Sequence, residues 1–491
     1  MSTPLAGRAG NALVWKTIQL GGSKGLFLVR TLILARLLSP DDFGLLAIAT
    51  IAVGFLTTVT ELGVTPALIH QSKVDEAHYD SAWTINLART LGVSAALMIA
   101  ADAIAAVFSE PRAADILRLL ALKPLIDAGA SIKVVELVRH LDYRRRAFVN
   151  LPSVAVETVA SILLATQLGV WALVTGALAG ALAGLIASYI VAPHRPRFIF
   201  ASRTLRPLIR YGRWVFMTGL VAASTSSLTQ MIISRQLGAA ELGLYFMAAK
   251  LAFMPHDVAA HVVGDVAFSL YARIQNDQVR VAKAFRTIFV ALSAVLVPLY
   301  IILIGVAPRL VIDVLGARWI GTEPLIQILA ATGIVGLFGD ATSPLFRGLG
   351  HPKWIVGILI VQSSLIIVLL WALTGRFGAT GAALAWLAGV GASQAVSFVL
   401  AHRILGNPFR QLTLPLTIVV LAGGVGAATA IGLTQIVAGV WGLLFAVSAA
   451  SVVTLLLLWF CDTRLDIGLR ANLSLAFPQL ANLVGLVPAT R

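Results

Sequence analysis

Arg36-Leu37-Leu38-Ser39-Pro40-Asp41-Asp42-Phe43-Gly44-Leu45 sits between two long apolar runs. Its Ser-Pro-Asp-Asp core is strong turn chemistry, because proline presets φ and the short polar side chains bond their own backbone. The stretch recurs as Arg235-Gln236-Leu237-Gly238-Ala239-Ala240-Glu241-Leu242-Gly243-Leu244. Arg36 pairs with Arg235, Leu38 with Leu237, Asp42 with Glu241, Gly44 with Gly243 and Leu45 with Leu244. All share the offset 235 − 36 = 199, which also carries Trp15 onto Trp214. A common offset at glycine, tryptophan and charged positions reads as an internal duplication, with a period far too long for a solenoid. The chain is therefore two large half-structures in tandem.

Composition places those halves in a membrane. Hydrophobic residues make up 58% of the 491 residues, charged residues only 12%, and the mean hydropathy is +0.91. Soluble domains carry about 25% charged residues, so this chain lacks the polar surface that water requires. The net charge of +15 could point to nucleic acid, but the basic residues collect in alternate loops, and a nucleic-acid partner is not expected. The single cysteine, Cys461, offers neither an intrachain disulfide nor a metal-binding thiol cluster. The first apolar run is too long for a cleaved signal core.

A helix needs about 20 apolar residues to cross a bilayer. On that measure the chain is an all-α integral membrane protein of about fourteen transmembrane helices. The reading gives an N-terminal bundle over 1–193, a basic cytoplasmic linker over 194–211 and a C-terminal bundle over 212–405. Two additional helices over 406–461 and a cytoplasmic tail over 462–491 follow. The fourth span, 113–139, is the most charged, and Pro124 should kink it. Arg139, Arg144, Arg145, Arg146, Arg195, Arg197, Arg347, Lys353 and Arg403 belong to one set of loops, which the positive-inside rule makes cytoplasmic together with both termini. Each half then begins on the same side with six helices, so the repeats are parallel, related by an axis along the membrane normal.

Chemistry in such a chain falls to polar residues within the spans, which are costly unless they face a cavity or a partner. Thr17, Lys24 and Thr31 recur every seven residues on one face of the first span. Lys24 lies near mid-membrane, too deep to snorkel, with Arg30 toward the outer half. In the eighth span, Lys250, Met254, Asp257, His261 and Asp265 form a stripe that suits either a cavity face or an internal ion-pair ladder. The seventh span carries a neutral belt that includes Ser227 and Gln230 where the first has cations. Lys123 and Asp127 are spaced to neutralise each other, and Glu61, Arg89, Glu157 and Asp340 suit pairs inside the bundles. The candidate substrate-binding cations are Lys24, Arg30, Lys250, Arg89 and Lys123. Thr17, Thr31, Ser227, Gln230, Asp257 and His261 are the candidate polar lining of a cavity. Arg36, Pro40, Asp42, Gly44, Arg235, Glu241 and Gly243 mark two turns expected to meet at a periplasmic gate, since equivalent turns of parallel repeats share a face.

Leu34-Ala35-Arg36-Leu37-Leu38-Ser39-Pro40-Asp41-Asp42-Phe43-Gly44 resembles the first-loop signature of the polysaccharide-transporter (oligosaccharide flippase, Wzx-like) family. Leu141-Asp142-Tyr143-Arg144-Arg145-Arg146, Glu157, Leu168-Gly169-Val170-Trp171-Ala172-Leu173-Val174 and Gly348-Leu349-Gly350-His351-Pro352 continue the likeness, which runs from about 12 to 405. The resemblance implies membership of the multidrug/oligosaccharidyl-lipid/polysaccharide exporter superfamily, with two helix bundles around a central cavity. It implies a flippase of the bacterial inner membrane that moves a polyprenyl-pyrophosphate-linked oligosaccharide for lipopolysaccharide or exopolysaccharide synthesis by alternating access. Its partners would be that lipid-linked sugar, the membrane lipids and the polysaccharide polymerase machinery. Buried cations suit a pyrophosphate, and no Walker loop is present, so neither an enzyme nor a cofactor is expected. A drug or cation exporter of the same superfamily is the first alternative and would favour carboxylates in its cavity. A membrane glycosyltransferase or ligase is the second, and the short outer loops speak against it.

The orientation is directly testable. A periplasm-dependent reporter fused after Arg491 should stay inactive and a cytoplasm-dependent one should be active; the reverse pattern overturns the assignment of both termini.

Overall fold

The computed structural model describes residues 3–61, 68, 75–140, 142–198, 206–406 and 411–465, with side-chain surroundings described except at 3–13, 206–215, 257–263, 265–266, 269 and 465. Among the described residues the regular structure is helical throughout, with no strand. The chain divides into two compact units, Met1–Gly243 and Leu244–Arg491. The first unit thus keeps the helix that follows the basic linker. Eleven described segments are long and apolar enough to cross a bilayer, and two of them, Phe216–His256 and Pro352–Leu405, are each two helices joined at a glycine, Gly238 and Gly378. With the interrupted fourth segment, this accounts for the expected number of crossings.

The first unit contains α1 (Thr3–Leu37), α2 (Pro40–Val59), α3 (Glu76–Ile99), α4 (Ala101–Val107), α5 (Ala113–Leu120), α6 (Leu122–Ala128), α7 (Val134–Arg139), α8 (Tyr143–Leu168), α9 (Val170–Val191) and the start of α10 (Arg206–Ile274). The expected fourth span is therefore three short helices rather than one kinked helix. Pro124 has no N–H to give the carbonyl of Leu120, and α5 ends at that residue. The break leaves backbone groups that hydrocarbon cannot satisfy, and neighbouring helices supply the partners. Ser94 of α3 donates its hydroxyl to the Ala121 carbonyl at 2.7 Å. Tyr189 of α9 donates to the Gly129 carbonyl at 3.0 Å, the Ser131 amide donates to the Ser188 hydroxyl at 2.9 Å, and the Ser131 hydroxyl donates to the Ala192 carbonyl at 2.6 Å.

Helices α8 and α9 pack through small residues. A Cβ on Gly176 would strike the Ser161 hydroxyl, and one on Gly180 would lie 2.6 Å from the Glu157 Cβ. The Ser153 hydroxyl donates to the Gly180 carbonyl at 2.8 Å. Backbones this close gain dispersion contacts that lipid tails cannot match. On its other side α8 meets α1. Arg144 lies over Trp15 and Lys16 over Tyr143, each at 5.7 Å, Gly22 faces Leu151, and Arg30 pairs with Glu157. The partners climb together along both helices, so α1 and α8 run in the same direction.

The second unit holds the rest of α10, α11 (Gln278–Arg309), α12 (Thr322–Gly348), α13 (Pro352–Leu405), α14 (Thr413–Ile436) and α15 (Gly439–Leu465). Its core gathers Phe285, Leu292, Tyr300, Leu345 and Phe346, with Phe338 edge-on to Phe285 and Phe289 at 6.0 and 5.6 Å. The two helices beyond the expected bundles belong to this unit. On α14, Gly423 sits on Pro298 of α11, and Gly426 sits on Thr454 of α15. Gly169 (φ 57°, ψ −130°) and Gly378 (φ 60°, ψ −146°) join successive helices with nearly the same backbone conformation, one that side chains with a Cβ rarely adopt. Leu168-Gly169-Val170-Trp171-Ala172 and Phe377-Gly378-Ala379-Thr380-Gly381 thus turn in the same way, with glycine at the joint of each.

Gly176→Ala should destabilise the protein by about 1–3 kcal/mol through overpacking, read as a lower melting temperature in detergent, and Ser161→Gly in the same chain should restore it. Gly25→Ala, where a Cβ meets nothing within 4 Å, should leave the melting temperature unchanged or slightly raised.

Candidate functional site

The turn that opens α2 is built by its own side chains. Ser39 has extended backbone and caps the helix, its hydroxyl accepting from the Asp42 amide at 3.3 Å and donating to Asp42 Oδ2 at 2.7 Å. The Ser39 amide donates to the same carboxylate at 2.9 Å. This reciprocal box satisfies donors at the helix start, and Pro40 removes another donor by having none. Asp42 is therefore held by the turn itself.

The position 199 residues on from Ser39 is Gly238, where the chain turns at φ 86° without a capping side chain. The counterpart of Pro40 is Ala239, which does have an N–H, and that N–H donates to Glu110 Oε1 at 3.1 Å. One copy of the turn discards the donor and the other finds it an acceptor. The two turns then close on each other within the first unit. A Cβ on Gly44 would overlap the Ala239 carbonyl, and one on Gly243 would overlap the Pro40 carbonyl. Gly44 is to Gly243 as Pro40 is to Ala239, so the contact is reciprocal under the repeat. Only glycine permits such backbone approach.

A third loop fastens the pair. Arg112 holds Asp41 with both guanidinium nitrogens, at 2.8 and 3.1 Å, and Glu110 at 3.2 Å. Hydrogen bonds to Asp41 first and Glu110 second hold the Arg112 guanidinium protonated more firmly than usual. The Ser234 hydroxyl donates to the Phe108 carbonyl at 2.8 Å. Arg112 is more than half exposed, so its bidentate pair contributes about 1 kcal/mol or less. It adds register and little else. Arg36 and Arg235 are both exposed, and Glu241 is half-buried.

Deeper in the spans the candidate cations separate into different settings. Arg30 is mostly buried and pairs with Glu157, with Phe27 below its guanidinium at 5.3 Å. Arg89 donates to the Thr57 carbonyl and the Thr60 hydroxyl, both at 3.1 Å, and to Asn86 at 2.9 Å. It thereby ties α3 to the last turn of α2. Lys123 meets Asp127 at 2.7 Å, as their spacing predicts. Lys24 is half-buried, between an exposed Thr17 and a buried Thr31 whose hydroxyl donates to the Phe27 carbonyl at 2.7 Å. Ser227 and Gln230 are half-buried on α10, and Gln230 Oε1 is buried without a hydrogen-bond partner, as is Gln19 Oε1 on α1. In the second unit, exposed Lys250 lies 5.1 Å from the Phe246 ring. Asp257 and His261 lie outside the described side chains. One residue earlier, His256 Nδ1 is 3.0 Å from Asp340 Oδ2 on α12.

The structure therefore brings together the two turns, and it joins Arg30 to Glu157 and Arg89 to α2. Sequence reasoning missed the part played by Glu110 and Arg112, which lie in the short loop between α4 and α5 with no counterpart at the repeat offset. It also missed Gln19, one more amide on a helix chosen for its cations.

Long apolar helices, ion pairs inside the spans and a polar lock at one end of them define a multi-pass membrane protein of the transporter type. The fold matches a lipid II flippase, MurJ, in an inward closed conformation, with a TM-score of 0.74 at 14% identity, covering 92% of this chain and 100% of that one. It also matches an inward-facing multidrug resistance transporter of the MATE family and the MOP superfamily, with a TM-score of 0.62 at 14% identity over 81% of this chain and 99% of that one. Residues 33–324 match the polysaccharide biosynthesis protein family, and the chain belongs to that family. Among its bacterial relatives are the succinoglycan biosynthesis transport protein ExoT of Rhizobium meliloti, 26% identical over 75% of this chain and 72% of that protein. The lipopolysaccharide biosynthesis protein WzxC of Escherichia coli is 22% identical over 80% of each.

In a Cys461→Ser background, a cysteine at Ala239 should resist a maleimide in the purified protein, because the residue is only 2% exposed beneath Gly44. Adding Gly44→Val should make it react several-fold faster. Equal labelling of the two variants would show that these turns do not close on each other.

Proposed function

We infer that this protein flips a polyprenyl-pyrophosphate-linked oligosaccharide, a polysaccharide repeat unit, across the bacterial inner membrane. Family membership and the transport proteins among its relatives support the substrate class. The observation that carries the mechanism is the reciprocal closure of the turns at Gly44 and Gly243. Such a contact rests on shape, a cap and the Ala239–Glu110 hydrogen bond, and Glu110 keeps Arg112 as its partner when the turns part, so no buried charge is stranded. That is what alternating access asks of a periplasmic gate.

Within the spans, Lys24 is the residue proposed to accept the pyrophosphate. It lies 37 − 24 = 13 residues from the outer end of α1, about 20 Å along a helix, and a cation at that depth costs about 2.5–3.5 kcal/mol on insertion scales. A doubly charged phosphate repays that cost. Arg30 has Glu157 as a standing partner and takes part by exchanging one anion for another. Lys250, with Thr17, Thr31, Ser227, Gln230, Asp257 and His261, completes the proposed lining. Arg89 ties α3 to α2 and Lys123 pairs with Asp127 on its own helix; contact with substrate is the second part proposed for each.

The drug-exporter reading would be favoured by unpaired carboxylates in the spans. Glu157 and Asp340 instead face Arg30 and His256. Transport without chemistry on the substrate is the reading here, driven by the membrane potential, an ion gradient or the substrate gradient. Membrane lipids and the polymerase machinery are its proposed partners, and both termini are placed in the cytoplasm.

Lys24→Ala should abolish export of the lipid-linked sugar at wild-type membrane abundance, and Lys24→Arg should keep part of it, because charge matters more here than a bidentate fork. Glu157→Ala should instead lower abundance, since it leaves a buried guanidinium unpaired at a cost of about 3–5 kcal/mol; Arg30→Ala with Glu157→Ala should recover it. Normal export by Lys24→Ala would overturn the role given to Lys24.

A further inference from the structure

The segment from Pro193 to Phe198 leaves α9 without regular structure, yet contacts hold it at His194, Arg197 and Phe198. His194 is buried with Nε2 at 3.2 Å from Asp80 Oδ1. The Arg197 amide donates to the same carboxylate oxygen at 3.1 Å, and the Arg197 carbonyl accepts from the Thr84 hydroxyl at 3.2 Å. Phe198 stands edge-on to Trp83 at 5.4 Å. The strap and the adjoining ends of α3, α7 and α9 border an open hollow of about 610 Å³.

Charges around this hollow are unevenly committed. Lys133 bonds Glu76 at 2.6 Å, and Asp80 accepts from the Arg197 amide with His194 Nε2 beside it, so both lining carboxylates have a partner. The side chains of Arg195 and Arg197 are exposed at the rim, on a backbone bonded at Arg197 to Asp80 and Thr84. Two guanidinium groups on one strap suit the bidentate recognition of phosphate oxygens. Nothing in the flipping mechanism uses them.

We propose that this hollow is a second anion site, at the cytoplasmic surface of the first unit, for a phosphate group carried by an inner-leaflet lipid. The cytoplasmic placement rests on the orientation read from the loop arginines; the binding itself does not depend on transport. The shared chemistry is a phosphate oxyanion, whether on a membrane phospholipid or as a free anion. Bound there, a phosphate would fix the start of the basic linker against the membrane surface.

The test uses the full chain in nanodiscs of mixed phosphatidylcholine and phosphatidylglycerol, with retained lipid counted by native mass spectrometry. Wild type should retain phosphatidylglycerol in preference, and Arg195→Gln with Arg197→Gln should reduce that preference at least about tenfold. Arg195→Lys with Arg197→Lys should lose less. Arg144→Gln with Arg145→Gln, which removes the same charge from the first turn of α8, should retain it, and equal melting temperatures confirm that the strap variants fold. Calorimetry with inorganic pyrophosphate separates the sources: binding that the Arg195 and Arg197 pair abolishes, without lipid retention, assigns the site to a free anion. No loss of either ligand in the double glutamine variant overturns the proposal. Reversed orientation in the reporter assay would move the site to the other leaflet and leave its binding intact.

Discussion

A backbone amide in hydrocarbon must find its partner inside the protein, since no water is there to replace it. Most of this chain meets that demand with uninterrupted helix. The fourth crossing does not, because Pro124 cannot supply a donor and α5 stops at Leu120. Ser94, Tyr189 and Ser188 meet backbone groups freed along that crossing, and Ser131 donates back to the Ala192 carbonyl at the end of α9. The broken segment is thereby fixed to α3 and α9, and an interruption that would be intolerable in lipid becomes a joint of the first unit.

The same demand, applied to charge, sorts the ionisable residues. Arg30 and Glu157 neutralise each other where α1 meets α8, beside the glycines that let α9 approach α8. His256 Nδ1 approaches Asp340 Oδ2 at 3.0 Å between α10 and α12. Paired groups of this kind define which helices are neighbours more than they add net stability, because desolvation consumes much of the attraction. A charge with such a partner responds to an incoming anion by exchange, so the pair and the proposed transport role are compatible.

Close backbone approach recurs at a different scale in the turns. Gly44 and Gly243 bring two carbonyls to distances that any Cβ would forbid, and the capping box of Ser39 and Asp42 keeps the first turn stiff while this happens. Stiffness in the turn and weakness in the contact are complementary. A shape-based contact holds only while both surfaces are aligned, and it releases as a unit.

Hydropathy, loop arginines and the 199-residue offset were sufficient for the membrane class, the about fourteen crossings and the pairing of the turn at Ser39 with the turn at Gly238, because each rests on local composition or on self-similarity. Periodicity also placed Thr17, Lys24 and Thr31 on one face and spaced Lys123 to meet Asp127. It could not name the helix that each face would meet. That Arg30 finds Glu157, that Arg89 turns to Thr57 and Thr60, and that Glu110 receives the extra amide of Ala239 are long-range choices made by packing. The fourth span shows the limit most plainly. Its hydrophobic length and proline suggested one kinked helix, and only the hydroxyls waiting on α3 and α9 made three short helices affordable there.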